Sequence, residues 1–483
     1  MKIFKLSILA ILLIAITSCN NANKKMMELI PENSTFVFSL NPAKVSEHTG
    51  IKVDDNGHVE LPGALKELAG ANTKELDSIA SEIAKMGVDP SVNIYGFTNI
   101  QDIKEPSFFI LATIKDTEAA KALIEKESHK KFKNVGDIEI FEEGNAGVAI
   151  KDNIVLIGAD QSQNITDVAK KIFAKEGKSI LENSEACKTL DADCDINYYV
   201  NYASYMKLMA QMKPEISMIS SFLNGFRGLG ANIDLSDNEI NCTSEIYADD
   251  DSDIMKLLND IKGDASADFL KHMPGKSKLI LSASIKGEKL ADFAQVKSAL
   301  EMGGSYVQAD LVSLVKSING PIALGIDGEL NNKESFAISV VITTSKAAEW
   351  KKVIETLLQS KGGAPMPLTI DATAGELVIK VGNNSSFATN ATNNEDAKKI
   401  FNDNFSGLWM GLPVNGMTMR IDAGANDMKN GNLKFFISKD NKNMIFGDYP
   451  KFFMALQEMF RPQPSEMYYD DRDVEVVDSV AVE

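Results

Sequence analysis

A supersecondary pattern that occurs twice in the same order limits this chain more than any single motif does. Residues 30–40, a turn at Pro31 running into Phe36-Val37-Phe38, are echoed by 273–283, a turn at Pro274 running into Leu279-Ile280-Leu281. The apolar stretch 106–114 leads into a helical run over 116–131, and 334–342 leads into one over 345–359. Each helical run has an Ala-Ala pair in its first turn, Ala119-Ala120 and Ala347-Ala348. Hairpin-like segments follow in both places, 138–141, 147–150 and 153–158 first, then 368–371 and 376–381. A last echo joins 231–235 and 239–247 to 419–423 and 432–438. Ordered self-similarity of this kind marks a duplicated unit. The separation between echoes shortens along the chain, so the first copy carries the longer insertions.

The strand-like segments are short, β-branched and aromatic, and tight turns such as Glu143-Gly144-Asn145 join them. Two-residue turns connect only antiparallel neighbours, whereas a parallel sheet needs a helix after nearly every strand. The pattern therefore predicts an α+β fold of mainly antiparallel sheets with helices packed on one face, built as two divergent repeats over 30–272 and 273–461. Further helices are expected over 73–86 and over 203–226, the latter bent at Pro214. The last stretch, 462–483, has two prolines and seven acidic residues against one Arg472, a composition that cannot bury enough apolar surface to fold.

The N-terminus carries Lys2 and Lys5, an apolar run from Leu6 to Ile16, and then Thr17-Ser18-Cys19. That is the layout of a secretory signal over 1–18, and the run is far shorter than the roughly 20 residues a spanning helix needs. Ile16-Thr17-Ser18-Cys19 resembles the bacterial lipobox, which implies lipidation of Cys19. Residues 19–29, rich in Asn and Lys, read as a polar tether. No Asp follows Cys19 to imply retention in an inner membrane, and no acidic cluster implies surface display. The expected address is the outer membrane, facing the periplasm.

The formal net charge of −18 deepens once Lys2 and Lys5 are removed with the signal. So acidic a chain repels phosphate backbones, which excludes nucleic acid as a partner. Three cysteines follow Cys19. Cys187 and Cys194 lie seven apart in a loop-like segment where a disulfide could close a small ring, and Cys242 falls in a strand. The alternative is three free thiols. The four histidines show no zinc-ligand spacing with them, and His48 and His58 fall in a polar, surface-like loop.

No phosphate-binding or dinucleotide loop, nucleophile elbow or metalloprotease helix occurs; Gly177-Lys178-Ser179 and Gly275-Lys276-Ser277 lack the earlier glycine a phosphate loop requires. Asp249, Asp251 and Asp253 sit at the first, third and fifth positions of a calcium-loop-like stretch, but Ile254 occupies the place of the obligatory glycine. The competing reading puts these acids at a helix N-terminus, where they favour the dipole. Met206, Met209 and Met212 would align three thioethers along a helix, a copper-like array that is more commonly flexible core filling. Asp77-Ser78-Ile79 and Asp478-Ser479-Val480 resemble the O-glycosylation acceptor of Bacteroides-type exported proteins, which makes Ser78 and Ser479 candidate sites. No cofactor is called for.

The block over 30–40, with Asn41-Pro42-Ala43-Lys44-Val45, Gly50-Ile51 and the lipobox start, resembles a lipoprotein family of unknown function from Bacteroidetes. The resemblance implies an exported protein and carries no catalytic residues. The sequence thus points to a non-enzymatic envelope lipoprotein, held to the membrane by its lipid, that binds a ligand or partner protein. The alternative is a carboxylate-based hydrolase acting on glycan or peptide in the periplasm or at the cell surface.

Overall fold

A computed structural model describes residues 20–439 except 50–51, 54–58, 61–86, 90, 100–106, 213–224, 237–238, 329–334, 361–365, 383 and 415–416, and also 442–443. Among the described residues, nineteen strands form one sheet, and every pairing in it is antiparallel. The first ten are β1 Phe36–Leu40, β2 Ile94–Thr98, β3 Ser107–Thr113, β4 Lys133–Val135, β5 Ile138–Glu143, β6 Ala146–Lys151, β7 Ile154–Asp160, β8 Ile196–Asn201, β9 Phe226–Leu235 and β10 Ile240–Ala248. The rest are β11 Leu279–Lys286, β12 Ile318–Asp327, β13 Ala337–Thr344, β14 Leu368–Ala372, β15 Glu376–Gly382, β16 Ser406–Val414, β17 Met417–Ala425, β18 Asn430–Lys439 and the short β19 Lys442–Asn443.

From one edge the strands run β4-β5-β6-β7-β3-β2-β1-β8-β9-β10. From the other edge they run β14-β15-β13-β12-β11-β16-β17-β18. The two series match strand for strand from β6 and β14 inward, so the predicted α+β fold with two divergent repeats is what forms. Local detail repeats as well. Pro31 bridges Ser179 and Pro274 bridges Asn390. The Ser34 hydroxyl donates to the Pro31 carbonyl at 2.8 Å, and Ser277 does the same to Pro274 at 2.6 Å. The series meet at β10 and β18, paired from Ile240↔Phe435 to Glu245↔Asn430.

The helices are α1 Asn20–Met27, α2 Pro42–Thr49, α3 Thr117–Ser128, α4 Ile165–Phe173, α5 Ser184–Leu190, α6 Tyr202–Met212, α7 Asp253–Ile261, α8 Gly287–Asp292, α9 Ala294–Val307, α10 Leu311–Lys316, α11 Ala347–Ser360 and α12 Glu395–Asp403. The two Ala-Ala helices are α3 and α11, close to their expected limits. Asp116 caps α3 by accepting from the Ala119 N–H at 2.9 Å. Gly144 takes φ 64° in the β5–β6 turn, the left-handed conformation that such a turn needs.

Three expectations are corrected. Helices cover both faces of the sheet, not one. In β3, Phe109 and Leu111 enter the core beneath α1, α4 and α5, while Ile110 and Ala112 enter the core beneath α3. The same division places α12 and α11 on opposite faces of the second repeat. The uninterrupted apolar run Phe108-Phe109-Ile110-Leu111-Ala112 is the mark of a strand covered on both sides. Next, the helix expected over 203–226 cannot reach its last residue, because Phe226 opens β9; α6 accounts for Tyr202–Met212, and residues 213–224 with Pro214 lie outside the described residues, as do the helix expected over 73–86 and the tail over 462–483.

The third correction concerns the tether. Residues 20–27 are α1, and its C-terminal turn is core: Met26 and Met27 are 1% exposed and Ile30 is fully buried. Asn23, Met26, Met27 and Ile30 follow the i, i+3, i+4, i+7 spacing of one helical face. Lys24 and Lys25 of the run that suggested a leash are exposed on the other side, whereas Asn23 of the same run is buried. The Thr113 hydroxyl donates to the Met26 sulfur at 3.6 Å, and the Asn93 N–H donates to the Asn23 side chain at 2.8 Å. Met27→Ala is therefore expected to lower stability by about 2–5 kcal/mol in urea unfolding, where a leash residue would leave it unchanged.

Candidate functional site

A well-formed concavity lies in the first repeat, where the chain turns from β7 into α4. Asp160 ends β7, and one of its carboxylate oxygens accepts the Ser162 N–H at 2.8 Å, the Ser162 hydroxyl at 2.7 Å and the Gln163 N–H at 3.1 Å. That turn delivers the chain to Asn164, which caps α4 by accepting from the Asp167 N–H at 2.8 Å. Ile165, Val168, Ala169, Ile172 and Phe173 form the buried face of α4, at the spacing an amphipathic helix requires. The helix ends in a left-handed turn at Lys175, φ 55°, with Lys175 N–H bonded to the Ile172 carbonyl and Glu176 N–H to that of Lys171. Gly177, φ 88°, then bends the chain back toward the bridge between Ser179 and Pro31.

This path encloses a cavity of about 430 Å³, within the roughly 300–1,000 Å³ typical of small-ligand sites. Leu29, Ile30, Phe97, Phe109, Val168 and Ile172 supply apolar walls, and Asn99, Ser107, Asp160, Ser162 and Gln163 supply polar ones. Lys171, Lys175 and Lys178 stand on the rim. Glu28 neutralises Lys175, while Lys178 lies 3.3 Å from Glu182 and 3.8 Å from Glu32. Lys171 instead donates to the Gln163 side-chain oxygen at 2.7 Å. The second repeat has no counterpart of α4; a short 3-10 turn, Asn384–Phe387, stands between β15 and α12. The insertion that lengthens the first repeat is thus what builds the cavity.

The residues singled out from the sequence lie elsewhere. Cys187 and Cys194 are free thiols, the second of the two readings the sequence left open. Cys187 sits on α5, not in a loop, and its thiol donates to the Ile180 and Leu181 carbonyls, both at 3.6 Å. Cys194 donates to Asp234 at 3.5 Å. Burial, with Asp234 beside it, pushes the Cys194 thiol up to about 11. Cys242 lies half-buried on β10. Asp249 pairs with Arg227, Asp250 pairs with Lys429 at 2.6 Å, and Asp253 opens α7 behind the Ser252 cap. Asp251 is exposed in the turn before α7, and no group of His, Cys, Asp or Glu among the described residues, Asp249, Asp251 and Asp253 included, is arranged to hold a metal ion. Met206 and Met209 are half-buried on α6; the Met212 side chain lies outside the described residues, as do Cys19, Ser78 and Ser479.

His48, expected at the surface, is a further correction. It lies on α2, and its Nδ1 is 2.9 Å from the buried Asp195 carboxylate, whose second oxygen accepts the Leu235 N–H at 2.8 Å. His58 lies outside the described residues. Asp160 and Lys171, the polar groups that matter most in the cavity, were not singled out from the sequence. The legible signal was the apolar spacing of 165–173; nothing local showed that the helix would stand over a cleft.

The family model of a domain of unknown function, DUF4836, matches residues 26–386. This chain belongs to that family. The matched region begins at Met26, the first core methionine of α1, and spans the whole first repeat and the second through β15. It therefore contains every residue that lines the cavity. No curated protein matches the chain. Among solved structures, crystal forms III, IV and I of TP0453 are similar at 11%, 10% and 9% identity, with TM-scores of 0.30, 0.29 and 0.28. Those matches cover 46%, 45% and 46% of this chain and 78%, 79% and 77% of TP0453. If the thiols are as placed, the DUF4836 chain denatured without reductant takes up alkylating reagent at all three of Cys187, Cys194 and Cys242 in mass spectrometry. A disulfide between the first two would leave only Cys242 modified.

Proposed function

We propose that this protein is an envelope lipoprotein, anchored by acyl chains on Cys19, whose first repeat binds a small ligand without transforming it. The observation that carries the binding reading is the cavity beside α4, an apolar-walled cleft with a few converging polar groups. Two of its three carboxylates have structural commitments, Glu28 paired with Lys175 and Asp160 holding the turn into α4, and the third, Glu176, is exposed. Neither is placed opposite a nucleophile held by a base, so binding is the reading these contacts favour over hydrolysis.

The anchoring reading rests on the lipobox-like residues before Cys19 and gains a geometric consequence from α1. Because the helix begins at Asn20, a lipid on Cys19 would leave the chain beside the folded body and not at the end of a leash. Asn23 touches the chain just before β2, whereas Asn99, just after β2, lines the cavity. A five-residue strand separates those points by roughly 17 Å, at about 3.3 Å per residue. The cavity would then open at the end of the strand away from the lipid.

Two measurements test these readings separately. Cys19→Ser is expected to abolish incorporation of labelled fatty acid and move the protein to the soluble fraction; a variant that stays membrane-bound and labelled overturns the anchor. Native mass spectrometry of protein purified from its own envelope is expected to show a small-molecule adduct that Val168→Phe, filling the cavity, removes while the unfolding temperature stays near that of the parent. An adduct that survives this substitution, or none in the parent protein, overturns the cavity as the binding site.

A further inference from the structure

Two charges of the cavity lining, of opposite sign, lack an ionic partner among the described residues and are held apart. Asp160 is 7% exposed, yet among the described residues it has no cationic partner. Among the described residues all three hydrogen bonds to its side chain fall on one oxygen and none on the second, and Asp160 lines the cavity. A buried carboxylate without a counter-ion is costly, and hydrogen bonds alone offset that cost only in part. Lys171, in the last turn of α4, has no carboxylate partner among the described residues; its ammonium is held by the neutral side chain of Gln163. The other lysines of the rim are each matched by a glutamate. Glu176, the remaining acid of the lining, is exposed on the outer rim.

Asp160 and Lys171 would satisfy one another if they met, but the fold prevents it. The turn binds Asp160 through Ser162 and Gln163, and Gln163 in turn holds Lys171. What remains is an acceptor in the wall and an ammonium at the rim of one cleft, separated by a polar spacer and backed by apolar side chains. We propose that the cavity is a receptor for a small zwitterion, a short peptide or amino acid with a free ammonium and a free carboxylate. Asp160 takes the ammonium and Lys171 takes the carboxylate. This rests on the ligand-binding reading above and adds the class of ligand to it. Charge-assisted hydrogen bonds are the strong members of their kind, so losing either end of the ligand weakens binding sharply.

The test is calorimetric titration of the full lipidated chain in detergent with three probes: Ala-Ala, N-acetyl-Ala-Ala and Ala-Ala-amide. Ala-Ala is expected to bind, and each blocked form to bind roughly tenfold more weakly or worse. Asp160→Asn keeps the oxygen that holds the turn and removes the charge. It is expected to abolish the preference over the acetylated probe while the unfolding temperature stays within a few degrees of the parent. Lys171→Gln, an exposed change, is expected to abolish the preference over the amide. Equal binding of the three probes, binding of a blocked form alone, or binding of none overturns the zwitterion assignment. If that happens while the native adduct is still lost in Val168→Phe, the cavity remains the binding site and only the ligand class falls.

Discussion

Six antiparallel residue pairs between β10 and β18, from Ile240↔Phe435 to Glu245↔Asn430, hold the two repeats in one sheet. Each repeat alone would end in a long strand with unpaired N–H and C=O groups, an edge open to any other strand. Because the two edges are equivalent strands of the duplicated unit, pairing them satisfies both at once. The register also matters. It sets Cys242 opposite Leu433 and Ile240 opposite Phe435, so less polar side chains share one face, while Asn241 opposite Lys434 and Thr243 opposite Asn432 share the other. A slip by one residue would mix the faces along the whole junction.

Around that junction the repeats have diverged by insertion. The common unit keeps its Pro turn, its strand order and the Ala-Ala helix on the far face. Between β7 and β8 the first repeat adds α4 and the left-handed turn at Lys175, and these cover the strand ends at Asn99, Ser107 and Asp160. The second repeat crosses the corresponding gap with a 3-10 turn. Its smaller concavity, about 290 Å³ between α12 and β17–β18, is occupied by Arg420. The guanidinium is bonded to Asp422 and Asp396 and lies 4.8 Å from the Phe436 ring centre, so its charge is already matched. A shared scaffold thus carries one cleft in which Asp160 and Lys171 lack ionic partners among the described residues and one in which Arg420 is paired with Asp396 and Asp422.

The buried polar contacts follow the same division between tying the scaffold and leaving groups available. Asp195 joins three elements, receiving bonds from His48 on α2, the Leu235 N–H of β9 and the Asn41 N–H through its own carbonyl. Asn197 donates to the Ala192 carbonyl at 2.9 Å and accepts from Asn232 at 2.8 Å beneath α5. These groups are spent on holding strands and helices in register. Asp160 differs in that, among the described residues, the bonds to its side chain all fall on one oxygen.

The periodicities of the sequence decided what kinds of element form and in what order. Alternation and tight turns specified antiparallel hairpins, and the Ala-Ala pairs marked α3 and α11 as equivalent helices of the two repeats. The repeated Pro turns announced the duplication before any fold was known. The 3.6-residue spacing of Asn23, Met26, Met27 and Ile30 was also present, but Asn20, Asn21, Asn23, Lys24 and Lys25 read together as a leash, because the face of the helix that becomes buried is hidden from a linear reading. Only the tertiary structure decided that both faces of the sheet are covered, that Cys187 and Cys194 point to different partners, and that β10 meets β18. It also decided that Glu28 and Lys175 neutralise each other across the cavity mouth while Asp160 and Lys171 do not. The reason is range: hydrophobic period and turn chemistry act over a few residues, whereas edge pairing and charge compensation join groups that the chain keeps far apart until the sheet closes around them.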